Sequence, residues 1–540
     1  VSSSLSPSPP SPTGCRAAGE TPGIDLGLPR DFNLADHLLK RALEAGWSDR
    51  VVFVCKDRVV TFGELDEMVN RAGNLLAGLG LQVEQRVGLY LADSPNFAAL
   101  FLGAIRIGAV PVPFHGMLRP YEFRYLLRDS RIRVMAVDAD LLPELGGILS
   151  ESPWLEHVLV SGTCSEGRYP SLEDGLMDAS PELQAAATTL DDAAFWIYSS
   201  GATGFPKAAV HLHHDPLYCC EAFARSILQL TEQDVILSLP RMFMAYGLGN
   251  SLFFPLWSGA RSILLSRIPE SSGILEACRA HRPTLLFGSP PIYRDLLEAV
   301  EGGASADLSS LRLCLSAGEP LPPGLLTRFQ EKFGLQILDG LSSSEALHVF
   351  VSNRPGQVRP GSFGQPVPGY TIRLEDDQGQ EVAPGELGTL LVRGDSTSPC
   401  FWNQHRKTAR TMLGSWLVTG DKCTGDGEGY LFYAGRSDDM IRVAGMLVSP
   451  VEIEQNLLAM PEVQEAAVIG SADEQGLTRL RAFVVIPSHL DPSRDLSEAL
   501  RARANTEQSP CRQIRWLEFV PELPRTVTGR LQRYKLRDSG

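Results

Sequence analysis

YSSGATGFPKAAV, residues 198–210, decides how the rest of the chain is read: an apolar run, a loop of small residues, a lysine, and apolar residues again. Ala193 to Ile197 and Ala208 to Val210 have the continuous apolar character of buried strands, so the loop between them is expected at a strand turn. Ser199, Ser200, Gly201, Ala202, Thr203 and Gly204 carry little side-chain bulk. Their backbone N–H groups and three hydroxyls can therefore close around phosphate oxygens, with Lys207 supplying a compact positive charge at the edge. The spacing is not that of the Walker loop, because Ala208 follows the lysine where a hydroxyl would hold magnesium. A magnesium ligand must then come from elsewhere in the chain.

At 540 residues the chain exceeds a single hydrophobic core. The balance of 49 basic against 64 acidic residues gives a formal charge of −15, which argues against general nucleic-acid binding and against an anionic membrane surface. Ten cysteines lack CxxC or Cys/His spacing, a pattern of free thiols in a reducing compartment. A disordered Ser/Pro-rich leader is expected over 1–28, with no apolar core of a signal peptide or anchor. No apolar run reaches the roughly 18 residues of a membrane helix, and the expected location is the cytoplasm.

Helical periods alternate with short β-branched runs from Asn33 to Phe114, which predicts an α/β fold: a large layered N-terminal α/β domain over 29–437. A small α+β C-terminal domain is expected over 438–540, with a helix to Leu458, strands near 463–470, 480–486 and 513–520, and a helix near 495–505. HLHHD at 211–215 has poor spacing for a metal site, so capping and packing are its expected roles. In GLQILDGLSSSEALH, 334–348, a strand leads through a Ser-rich turn to Glu345 and then to a helix-like segment. WLVTGD, 416–421, reads as a strand ending in an exposed acid.

Five separated stretches coincide with one family pattern. The chain resembles the acyl-adenylating superfamily of acyl-CoA synthetases, adenylation domains and luciferases across 30–537. Residues 198–208 match YTSGTTGxPKG, Leu341 to Glu345 match YGxTE, and 416–421, 435–442 and 524–530 match WxxTGD, GRxDDxIK and PxTxxGK. FMAYGLGN (243–250) with DGLSSSEALHVFVSN (339–353) is most similar to the benzoate-CoA ligase branch.

The resemblance implies that ATP and an aromatic carboxylic acid such as benzoate or anthranilate form an aroyl-AMP, from which coenzyme A displaces AMP. It further implies that Ser199 to Gly204 and Lys207 hold the β- and γ-phosphates, that Glu345 holds Mg²⁺ and that Ser344 contacts the α-phosphate. Asp421 and Arg436 would take the ribose, and Gly318, Glu319 and Pro320 the adenine face, with Asp339 at its amino edge. Phe243, Ala245, Tyr246, Gly340, Leu347 and His348 would line the acyl pocket. Asp438 falls at the hinge of a mobile C-terminal domain, and Ala444 and Gly445 near the pantetheine arm. Arg530 stands where the family has its catalytic lysine. Two alternatives stay open: transfer of an activated aroyl group to a carrier-protein thiol, and a catalytically silent nucleotide-binding relative. Ring substituents and oligomeric state are not fixed by the sequence.

Overall fold

The protein is described by a computed structural model covering residues 23–537 apart from 117, 146, 164–167, 200–205, 445, 507 and 526–530. The helix Leu34–Glu44 opens the body, its Asn33 side chain accepting the Asp36 N–H and its first N–H donating to His213 Nδ1 at 3.0 Å. Ahead of it Ile24, Leu26 and Leu28 pack against the main core, so the leader expected over 1–28 does not extend through 24–28. Their two-residue apolar repeat is the pattern of an extended segment with one buried face. Residues 1–22 of that expectation lie outside the described residues.

Two sheets form the layers of the body. One is wholly parallel, in the order Val110–Pro113, Arg86–Tyr90, Val134–Asp138 and His157–Ser161. The larger runs in the order Gln365–Pro366, Val349–Ser352, Ile337–Ser342, Leu313–Ala317, Leu285–Gly288, Val235–Ser238, Arg261–Ile263, Val51–Cys55 and Arg58–Thr61. Its interior strands are parallel and its ends antiparallel. Helices cover these strands, which explains why they read as unbroken apolar runs. Leu313–Ala317 and Ile337–Ser342 are adjacent and parallel, so their carboxyl ends deliver Gly318–Glu319 and Ser343–Glu345 to one edge, where open α/β sheets bind ligands.

The hairpin Ala193–Ser199 and Lys207–Leu212 pairs Ser199 with Lys207 and brings both ends of the phosphate-loop candidate together. An antiparallel sheet follows, in which Trp416–Gly425 pairs with Leu431–Arg436 and Asp421 lies opposite Arg436. Asp421 therefore sits within a strand and is 7% exposed, in place of the exposed strand-end acid expected from WLVTGD. The strand continues because Lys422 to Thr424 pair on both sides. A second correction concerns the helix-like segment after Glu345. Residues 343–348 form neither helix nor strand, Leu347 has φ +68, and the β-branched run beyond them enters the sheet as Val349–Ser352.

Beyond a turn at 437–439 the chain builds a small α+β unit. Ser449 caps the helix Pro450–Leu458, whose Leu457 packs with Val468, Leu480 and Leu500 beneath a sheet of Glu465–Ala472, Thr478–Val485 and Ile514–Phe519. Arg525 joins this unit to the body, reaching Glu319 and Glu465 at 3.0 Å each. Among the described residues no helix is long and apolar enough to cross a membrane.

The buried Glu454 carboxylate accepts from Arg533 at 2.7 Å and from the Val468 N–H at 2.7 Å. Arg533→Ala leaves that charge unpaired and should weaken the C-terminal unit by about 3 kcal/mol or more. Hydrogen exchange in Glu465–Ala472 should accelerate accordingly; unchanged exchange there contradicts this assignment.

Candidate active site

A cavity of about 1860 Å³ opens where the sheet edge, the hairpin, the antiparallel sheet and the C-terminal unit meet. Its walls include Ser199, Lys207, Gly318, Glu319, Ser344, Glu345, Asp421, Arg436 and Asp438, together with Phe243, Ala245 and Tyr246. Residues from six separated stretches of sequence thus face one space.

At its centre Lys207 Nζ lies 2.7 Å from Glu345 Oε1, with the ammonium 4.3 Å from the centre of the Phe401 ring. Burial alone would push the Glu345 carboxyl up; attraction to Lys207 and its hydrogen bond outweigh that and hold it below the ordinary carboxylate value. The Ser199 hydroxyl is buried beside this pair without a hydrogen-bond partner among the described residues, a polar atom that a ligand oxygen would satisfy. Among the described residues no group of three or more His, Cys, Asp or Glu side chains is placed to hold a metal ion. A single carboxylate on a phosphate-binding cavity is nevertheless a donor set that fits Mg²⁺, which commonly takes one or two carboxylates with substrate phosphates and water.

On another wall Arg436 Nη1 lies 3.1 Å from Asp421 Oδ1 and 3.0 Å from the Thr419 carbonyl, while the Asp421 N–H donates to Thr419 Oγ1. Burial works against the guanidinium charge, but Asp421 more than offsets it and raises the Arg436 pKa. Asp421 can accept from two adjacent hydroxyls with the positions Arg436 leaves open. Gly318 has φ +98 with nothing within 4 Å of an added Cβ, so its backbone conformation is what requires glycine.

Several expected residues do not line the cavity: Pro320, Asp339, Gly340, Leu347 and His348. Asp339 is buried, which raises its carboxyl well above the ordinary value, and it accepts the Leu321 N–H at 3.0 Å, fixing the turn after Gly318. Gly340 packs against the next strand, where an added Cβ would come 2.9 Å from Val349 Cγ1. Burial lowers the His348 pKa to about 3, and its Nε2 faces Asn250 Oδ1 at 3.1 Å. With its ring 5.2 Å from that of Tyr246, His348 is a neutral support for the aromatic wall. Ala444, at φ +48, is exposed on a turn away from the cavity. Ser200, Gly201, Ala202, Thr203, Gly204, Gly445 and Arg530 lie outside the described residues.

Lys407 also lines the cavity, 5.8 Å from the Phe401 ring centre, and was not singled out from sequence. The basic run HRKTART at 405–411 was the available signal. Burial, then repulsion from Lys207, lowers its pKa.

Comparison with known proteins follows the same outline. The pattern of the AMP-binding enzyme family matches residues 40–402, and that of the AMP-binding enzyme C-terminal domain matches 452–530. Benzoate–CoA ligase of Thauera aromatica is 42% identical over 516 residues, covering 95% of this chain and 97% of that protein. The 4-hydroxybenzoate–CoA/benzoate–CoA ligase of Rhodopseudomonas palustris is 40% identical over 513 residues, covering 94% of each. A crystal structure of an anthranilate CoA ligase in complex with anthranoyl-AMP superposes with a TM-score of 0.89 at 37% identity, covering 95% of this chain and 98% of that one.

Because the folded Glu345 carboxyl sits below its unfolded value, its pair with Lys207 adds stability above the ordinary carboxylate range, and that stability is lost as pH falls through the depressed value. Lys207→Met removes both contributions of the lysine and leaves burial opposed only by a backbone hydrogen bond and by Arg436, so the carboxyl rises and the variant is least stable, relative to the parent, at neutral pH. Thermal melting of both chains from about pH 4 to 8 should give a gap that narrows in acid; a gap independent of pH contradicts the coupling.

Proposed function

The chain belongs to the AMP-binding enzyme family, and from that membership we propose that it is an aryl-CoA ligase, converting a benzoate-type acid with ATP and coenzyme A to aroyl-CoA, AMP and pyrophosphate. The observation that carries this reading is the single cavity in which the Lys207–Glu345 pair, the Asp421–Arg436 pair and the Phe243–Tyr246 wall face one another. The similarity to ligases named for benzoate, 4-hydroxybenzoate and anthranilate points to the same substrate class.

In the first half-reaction a carboxylate oxygen of the acid bonds to the α-phosphorus of ATP and the bond to the bridging oxygen of pyrophosphate breaks. Lys207, with the hydroxyls and N–H groups of the phosphate loop, would donate to the leaving pyrophosphate. Glu345 would hold Mg²⁺, which when bound spreads the charge of the phosphates. Ser344 donates toward the α-phosphate, and Asp421 anchors the ribose so that the reacting oxygens stay in line. Glu319 and the turn held by Asp339 flank the adenine. The flat ring of the acid lies against Phe243, Ala245 and Tyr246, where aromatic and small side chains suit it.

In the second half-reaction the thiol sulfur of coenzyme A bonds to the acyl carbon, the acyl–oxygen bond to AMP breaks and the thiol proton leaves. We place the pivot that exchanges the two faces of the C-terminal unit at Asp438, exposed in the turn 437–439. The turn at Ala444 and Gly445 then comes toward the pantetheine arm. Arg530 takes the part of the family's lysine in the first half-reaction, its charge conserved and its planar fork different.

A panel of benzoate, aminobenzoates, hydroxybenzoates, cinnamates and medium-chain fatty acids, supplied with ATP and free coenzyme A, tests the reading. A benzoate should yield aroyl-CoA with equal AMP; turnover of fatty acids alone, or of no acid, refutes it. Arg530→Ala should slow acid-dependent pyrophosphate exchange by about a hundredfold while sparing coenzyme A transfer from supplied aroyl-AMP. Equal survival of both halves would show that Arg530 lacks this role.

A further inference from the structure

His211 is fully buried on the strand Lys207–Leu212, four residues past Lys207 and therefore on the same face of the strand. Its Nε2 lies 2.7 Å from the Ser344 carbonyl oxygen and its Nδ1 2.8 Å from Asp215 Oδ2. A carbonyl only accepts, so Nε2 carries a proton and donates it to Ser344. One further proton lies between Nδ1 and the Asp215 carboxyl. Asp215, also fully buried, is held in turn: Oδ2 accepts the Leu212 N–H at 3.1 Å, while Oδ1, 3.3 Å from His214 Nδ1, makes no hydrogen bond among the described residues. The His211 ring stacks on Phe195 with centroids 5.2 Å apart.

The segment that His211 grips has no helix or strand to hold it. Three successive carbonyls there are bound from two places: Ser344 by His211, and Glu345 and Ala346 by the turn at 396–398, through the Ser398 N–H at 2.7 Å and Ser396 Oγ at 2.9 Å. Of these three donors, His211 is the one carried on the strand that also carries Lys207. One strand thus fixes the Glu345 side chain through Lys207 and the peptide that joins Ser344 to Glu345 through His211. A ring needed for packing on Phe195 alone would require neither a buried carboxylate behind it nor a carbonyl in front.

We propose that His211 and Asp215 form a positioning pair for adenylate formation, holding the Ser344–Glu345 peptide so that the Ser344 hydroxyl and the Glu345 carboxylate face the nucleotide phosphates. The step it serves rests on the aryl-CoA ligase reading; the contact itself does not. His211→Phe keeps the ring and its stack but removes the donor, and His211→Gln restores an N–H near the position of Nε2.

In the full-length chain, His211→Phe should lower kcat for benzoate-dependent ATP–pyrophosphate exchange by about tenfold to a hundredfold. It should leave the KM for benzoate unchanged and spare coenzyme A transfer from supplied benzoyl-AMP, and His211→Gln should recover part of the loss. Calorimetry with ATP, with and without Mg²⁺ and with no acid present, should show that His211→Phe loses most of the Mg²⁺-dependent gain in ATP affinity and keeps the affinity measured without the ion. Equal losses in both half-reactions, no recovery in His211→Gln, or an unaltered Mg²⁺ dependence overturns the proposal. Should His211→Phe fail to fold, Asp215→Asn carries the same readouts. A parent chain that binds ATP with Mg²⁺ but activates no aromatic acid counts against the ligase reading and leaves the calorimetric test of His211 intact.

Discussion

The contact between Lys207 and Glu345 is the constraint on which the site depends. Each charge is largely withdrawn from water, and neither would be tolerable there alone. Their pairing draws the hairpin that ends at Lys207 against the irregular chain that follows Ile337–Ser342. The Phe401 ring under the ammonium adds attraction and takes one side from water. Once those two pieces of chain are joined, Ser199, Ser344 and Gly318 come to the same opening. The same two charges suit the ligands of a nucleotide cavity, since triphosphate can take the lysine and a divalent cation the carboxylate.

The join between the body and the C-terminal unit is of another kind. Arg525 spans Glu319 and Glu465, and Arg294 reaches Glu465 at 3.3 Å, with all these side chains between 22% and 28% exposed. These part-buried pairs lie at the seam between the two parts and not within a core. Such contacts select an orientation without locking it, as the pivot proposed at Asp438 would require. The core of that unit, by contrast, contains the buried Glu454–Arg533 pair and a continuous apolar cluster, so it can turn as a body.

Much of this was legible in the sequence because apolar periodicity and turn chemistry act locally. Ala193 to Ile197 folds within the strand its composition predicts, and the C-terminal unit has its helix ending at Leu458. The misreadings came where long-range pairing decided the outcome. Gly420 and Asp421 are turn residues locally and signal a strand end, yet neighbouring strands on both sides extend the ladder through Thr424. The chain after Glu345 has a helical apolar spacing, but Val349, Phe350 and Val351 gain more by completing the sheet. Depth was equally hidden: Asp339, Leu347 and His348 belong to the right neighbourhood and are buried without lining the cavity. The link from His211 to Ser344 spans 133 positions, and no spacing rule could reveal it.

The central claim is that an acid oxygen attacks the α-phosphorus within this cavity, and isotope transfer tests it most directly. Benzoate labelled with ¹⁸O in both carboxyl positions, turned over with unlabelled ATP and coenzyme A, should leave one ¹⁸O in each AMP and none in pyrophosphate. Unlabelled AMP, or label recovered in orthophosphate with ADP, would contradict the account.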